Sequence, residues 1–121
     1  MSKKILVVDD DELVLIAIRE LLTPLGFSVT TAPNGADALE KATSSHFDLV
    51  ILDVIMPGMD GFEVCQKIRR IDSYTETPVM MLTAKSWEED RQRGLEMGAN
   101  LYLSKPISPK RLIVLVEEAI K

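Results

Sequence analysis

Five side chains in this 121-residue chain are of types that together can manage phosphate chemistry: the carboxylates Asp9, Asp10 and Asp53, the hydroxyl of Thr83 and the ammonium of Lys105. Each stands where a short apolar run gives way to polar or turn-forming residues. Asp9 and Asp10 follow Ile5-Leu6-Val7-Val8, and Asp53 follows Leu49-Val50-Ile51-Leu52 just ahead of Met56-Pro57-Gly58. Thr83 ends Val79-Met80-Met81-Leu82, and Lys105 follows Leu101-Tyr102-Leu103-Ser104. One acid in such a place is ordinary turn chemistry, since Asp bonds its own backbone. Asp10 or Asp11 would also serve as the cap of a following helix. Neither explanation covers a third carboxylate gathered with the other two, because like charges repel and one acid would keep its proton unless a cation sat among them. Oxygen ligands with no Cys or His nearby favour Mg²⁺, which takes one or two carboxylates, several waters and a phosphate oxygen. A transferring phosphoryl group spreads its charge over three equatorial oxygens, and the metal, Lys105 and Thr83 supply one partner for each. Asp53 then remains as the nucleophile, forming an acyl phosphate.

That chemistry requires the five residues to meet, which the elements predicted around them bring about. The apolar patterning predicts strands over Lys4–Val8, Phe27–Ala32, Leu49–Asp53, Pro78–Thr83 and Leu101–Ser104. Between them lie helical patterns. The first runs Leu13–Leu22, with Leu13, Ala17 and Leu21 on one face, Ile18 and Leu22 widening it, and Pro24 and Gly26 at its end. The second runs from a capping box at Asn34 and Asp37 to Ser44, burying Ala38, Leu39 and Ala42. The third presents Phe62, Cys65 and Ile68 on one face. A capping box Ser86-Trp87-Glu88-Glu89 opens the fourth, which reaches about Met97 and stops at Gly98. Ser108 caps the fifth, Pro109 is its first helical residue, and Leu112, Leu115, Val116 and Ala119 point inward. The stretch Ile71–Thr77 reads as a connective loop, and His46 as a solvated loop residue without a role.

Strands alternating with helices predict an α/β fold: a doubly wound five-stranded parallel sheet, order 2-1-3-4-5, covered on both faces as a three-layer sandwich. In such sheets ligands bind beyond the carboxyl ends of the strands, where the order reverses, here between the first and third strands. All five residues fall on that edge. The second strand, far from the reversal, ends in Ala32-Pro33 and contributes none.

The length suits one domain over residues 1–121, and 46% hydrophobic with 27% charged residues is ordinary globular composition. No apolar run approaches the roughly 20 residues of a membrane helix, and no signal-peptide core follows Met1-Ser2-Lys3-Lys4, so the expectation is a cytoplasmic protein that does not engage membrane. The single Cys65 has no disulfide partner, which suits a reducing compartment. A net charge of −5 argues against direct nucleic-acid binding while favouring cations.

The set Val8-Asp9-Asp10, Leu52-Asp53 with Met56-Pro57-Gly58-Met59-Asp60-Gly61, Thr83-Ala84 and Lys105-Pro106 resembles the receiver domain of two-component response regulators, the CheY-like family, across essentially the whole chain. The resemblance implies a CheY-like, flavodoxin-like (βα)5 fold. It also implies a signalling switch in which Asp53 accepts a phosphoryl group from a phosphohistidine on a sensor histidine kinase or histidine phosphotransfer protein. Asp10, Asp53 and the Ile55 backbone carbonyl would bind Mg²⁺ directly and Asp9 through water, while Thr83 and Lys105 would hold the phosphoryl oxygens. Lys105-Pro106 would be a cis peptide. Thr83 and Tyr102 would act as the switch pair, relaying the state to the face formed by the fourth helix, fifth strand and fifth helix, where a downstream effector or a second receiver would dock and where Trp87 also lies. Catalysis would extend only to the domain's own phosphorylation and slow autodephosphorylation. Two other classes compete. A magnesium-dependent phosphatase with an aspartyl nucleophile, of haloacid dehalogenase type, wants a second acid two residues after the first, where this chain has Ile55. A flavodoxin-like binding module wants a Ser, Thr and Gly-rich loop after the first strand, where three acids would repel its phosphate.

Overall fold

A computed structural model describes residues 2–85 and 87–120. It comprises β1 (Lys4–Val8), α1 (Glu12–Leu22), β2 (Ser28–Ala32), α2 (Gly35–Ser44), β3 (Leu49–Leu52), α3 (Gly61–Arg69), β4 (Val79–Thr83), α4 (Glu88–Glu96), β5 (Leu101–Ser104) and α5 (Pro109–Ile120), with 3₁₀ turns at Thr23–Leu25 and Asp72–Tyr74. The strands form one sheet in the order β2-β1-β3-β4-β5, every neighbouring pair parallel, as the alternation predicts. Predicted element ends shift by a residue at most places. Phe27 and Pro78 lie just before β2 and β4, and Asp53 just after β3.

Because strand side chains alternate between faces, the apolar runs serve two cores at once. Leu6, Val8, Val50, Leu52, Val79 and Met81 face one layer with α2 and α3, which contribute Ala38, Ala42, Phe62, Val64, Cys65 and Ile68. Ile5, Val7, Leu49, Ile51, Met80 and Leu82 face the other, closed by α1 and α5 through Leu15, Ile18, Leu22, Leu112 and Val116. Each buried aliphatic side chain of this size contributes about 1.5–3 kcal/mol.

The inward face of α1 is rotated from the predicted one by part of a turn. Leu13 is 77% exposed and Ala17 is exposed, while Leu15, Ile18 and Leu22 are buried with Val14 and Leu21 flanking them. Ile18, Leu21 and Leu22 thus face inward as predicted, and the stripe is rotated so that Leu15 and Val14 take the places expected for Leu13 and Ala17, which a helix apolar at most positions allows. In α5, Leu112 and Val116 are buried, with Leu115 and Ala119 packed at the margin. The predicted cap at Ser86 lies outside the described residues; Trp87 occupies the N-cap position of α4.

The stretch Ile71–Thr77 is structural rather than merely connective. Tyr74 is fully buried, and its hydroxyl accepts from the Phe47 amide at 3.1 Å and lies 2.9 Å from the carbonyls of both Ala42 and Ser45. Arg69 donates to the carbonyls of Tyr74 and Thr77, each at 2.6 Å, and to that of Gly98 at 2.8 and 3.0 Å. These bonds bind the amino ends of β3, β4 and β5 into one rim. The carboxyl ends gather on the opposite rim.

Candidate functional site

The register of the sheet places the acids. Val8 pairs with Leu52, so the next residues, Asp9 and Asp53, leave the sheet side by side, and the Asp53 amide still donates to the Val8 carbonyl at 2.9 Å. Local turn chemistry then holds each in position. Asp11 caps α1, accepting from the Leu13 amide at 3.0 Å, and the Asp11 amide donates to Asp9 at 2.9 Å. Asp60 caps α3 through the Glu63 amide. At Gly61 a Cβ would lie 2.2 Å from the Asp53 carbonyl oxygen, so only glycine lets the start of α3 close against the end of β3. Capping by Asp11 and Asp60 leaves Asp10 and Asp53 with no such duty.

Asp9, Asp10 and Asp53 each present a carboxylate oxygen within 4.8 Å of the others. Asp9 and Asp53 are buried, at 2% and 6% exposure, and Asp10 is exposed. Lys105, carried by the turn after β5, reaches across two strand positions: its Nζ is 2.7 Å from Asp9 and 3.1 Å from Asp53. The Lys105-Pro106 peptide bond is cis. Burial pushes the Asp9 carboxyl above its ordinary pKa; the bonds from Lys105 and the Asp11 amide pull it back, while the Asp53 charge pushes the same way as burial. Burial alone would lower the Lys105 pKa, yet hydrogen bonds and charge from Asp9 and Asp53 carry it above the ordinary lysine value. Three carboxylates around one ammonium leave excess negative charge in a site made of oxygen donors, two enclosed and one open to water. A hard divalent cation fits such a donor set.

Thr83 is fully buried, and its hydroxyl accepts from the Lys85 amide at 3.2 Å. Tyr102, half-buried, donates its hydroxyl to the carbonyl of the same Lys85. The two hydroxyls thus hold opposite ends of one residue in the turn after β4. Burial raises the Tyr102 hydroxyl pKa to about 12, with the Asp90 and Asp53 charges adding to it. The Lys85 side chain lies 3.7 Å from Asp90. Ile55 is 53% exposed beside Asp53, whose carboxylate accepts from the Ile55 amide at 3.2 Å. Trp87 is 75% exposed at the head of α4. Asp9, Asp10, Asp53 and Lys105 therefore meet at one rim, and Thr83 ends the strand next to that of Asp53 on the same rim, with its hydroxyl on the Lys85 amide. Sequence reasoning missed the bridging part of Lys85, which its backbone plays and its residue type does not signal.

Comparison with known proteins points the same way. Residues 5–117 match the family described as the response regulator receiver domain. The probable transcriptional regulator ycf29 of Porphyra purpurea is 42% identical over 99% of this chain and 57% of its own length. The alkaline phosphatase synthesis transcriptional regulatory protein PhoP of Bacillus subtilis is also 42% identical, over all of this chain and 50% of its own. The chain thus spans about half the length of these curated relatives. Among solved structures, the chemotaxis protein CheY4 of Vibrio cholerae superposes with a TM-score of 0.94 at 36% identity, covering 98% of this chain and 99% of that one. The BeF3-activated DrrB receiver domain gives 0.90 at 38% identity, covering 99% and 98%.

Proposed function

Because the chain belongs to the response regulator receiver domain family of two-component systems, we propose that Asp53 is its phosphoacceptor, and that a sensor histidine kinase or histidine phosphotransfer protein is the donor. A carboxylate oxygen of Asp53 attacks the phosphorus of the donor phosphohistidine, the N–P bond breaks, and the freed imidazole nitrogen keeps the electron pair and takes up a proton. The product is an acyl phosphate on Asp53. Asp10, Asp53 and the Ile55 carbonyl would hold Mg²⁺, with Asp9 acting through water; the ion supplies charge neutralisation as anionic nucleophile and anionic phosphate approach. Lys105 balances one phosphoryl oxygen, and the Thr83 hydroxyl, on releasing the Lys85 amide, donates to another. The carrying observation is the reach of Lys105 Nζ to both Asp9 and Asp53 within the three-acid cluster.

Release of Lys85 by Thr83 alters the turn whose other end Tyr102 holds, so the phosphorylated state is read on the face of α4, β5 and α5 by a downstream effector or a second receiver. On this reading the chain works by changing what it binds, and its catalysis concerns only its own phosphorylation state. Incubation with Mg²⁺ and acetyl phosphate is expected to add the mass of one phosphoryl group to the native chain and none to Asp53→Asn. Steady turnover of a phosphate ester, or an unchanged mass gain in Asp53→Asn, would overturn it.

A further inference from the structure

Helix α4 reads Glu88-Glu89-Asp90-Arg91-Gln92-Arg93-Gly94-Leu95-Glu96, and its one buried residue is Gly94. A glycine inside a helix opposes helix formation, and a helix that buries no large side chain is weakly held by packing. A local conflict of that kind marks a place where something other than local preference chose the residue. The neighbour supplies the reason. A Cβ built on Gly94 would lie 2.7 Å from Tyr102 Cδ2 and 3.1 Å from Cε2, with Met81 Sδ at 3.0 Å. The first separation is shorter than real Cβ atoms show and the other two are tighter than nearly all of them, while the tyrosine ring is held at its hydroxyl, which bonds the Lys85 carbonyl. The ring therefore occupies a notch in α4 that exists only because position 94 has no side chain.

We propose that Gly94 is a positioning residue for the switch: it opens the notch that admits the Tyr102 ring, and any side chain at 94 holds that ring out toward solvent, parted from Lys85, whatever the state of Asp53. This rests on the relay through Tyr102 described above, but its core is a steric statement that stands apart from phosphorylation. Met81 cannot replace the tyrosine in this account, because a thioether at the end of a flexible chain can yield where a hydroxyl-anchored ring cannot.

The test compares Gly94→Ala in the native chain and in a Tyr102→Ala chain, by thermal unfolding and by ¹³C resonances of labelled tyrosine rings. In the native background the substitution is expected to lower Tm and to move the Tyr102 ring resonances to solvent-exposed values. In the Tyr102→Ala background it is expected to raise Tm, because alanine is the better helix former once the ring is gone. A rise in both backgrounds would mean that no clash exists; a fall in both would assign the clash to Met81; either overturns the proposal. Mass gain with acetyl phosphate and Mg²⁺ is expected to persist in Gly94→Ala. Its absence from the native chain would end the phosphoacceptor reading while leaving the Tm comparison to judge the notch.

Discussion

At the scale of single residues, Lys105 is the group whose loss the rest of the site would register first. It sits 2.7 and 3.1 Å from two buried carboxylates, which without it would be left as neighbouring like charges. Removing one member of a buried charge cluster typically costs about 3 kcal/mol or more. Lys105→Ala is therefore expected to lower stability by about that much at neutral pH in the absence of divalent cations. The sign of its pH dependence follows from Asp9. A carboxyl whose folded pKa is already raised by burial, and which then loses the lysine that pulled it down, rises further. A raised pKa means that the folded state binds more protons than the unfolded, so stability is gained as pH falls through that value. Urea unfolding should show the gap between variant and native chain narrowing from neutral toward mildly acid pH. A constant gap would mean that Asp9 stays ionised without its partner. The side chains of this site were legible because strand ends announce themselves as apolar runs meeting Asp, Thr or Lys. Lys85 and Gly94 were not, since one acts through its backbone and the other through the absence of a side chain.

At the scale of elements, the strands were the most legible part, since runs such as Leu49-Val50-Ile51-Leu52 are apolar on both faces and have one place to go. In α1 the spacing predicts Ile18, Leu21 and Leu22 inward, as found, but Leu13 and Leu15 satisfy the same rule and only the position of the sheet decides between them. The structural part of the turn Asp72–Tyr74 is not legible in the sequence, because its polar neighbours conceal one buried aromatic. Tyr74 closes the base of α2 and the start of β3 with its hydroxyl. Tyr74→Phe keeps the ring but leaves a buried Phe47 amide unpaired, at a cost of about 1–3 kcal/mol. Denaturant titration should show that loss with phosphorylation by acetyl phosphate unchanged; an equal loss of phosphorylation would mean that the two rims are coupled.

At the scale of the whole molecule, a chain of net charge −5 carries part of its excess where it is least comfortable, on a rim with three carboxylates against one ammonium. A ligand that binds only the folded state stabilises by RT ln(1 + [L]/Kd), about 3 kcal/mol at a hundredfold excess over Kd. Mg²⁺ is therefore expected to raise Tm by several degrees, and Asp10→Ala to abolish most of that rise while raising Tm slightly in metal-free buffer, where it relieves repulsion. Equal Mg²⁺ shifts in both proteins would place the ion elsewhere. Among the described residues no helix is long and apolar enough to cross a membrane.

Parallel strands impose a polarity on the molecule, because all five strands enter the sheet at one end and leave it at the other. Arg69 and Tyr74 lock the entry end, far from the acids. That end is therefore a natural handle: a dye or a surface linker attached at Ser73, exposed within the turn beside Tyr74, would leave the acidic rim unobstructed. Tethered in this way, single molecules could be watched for the phosphoryl gain and loss that the proposed function predicts.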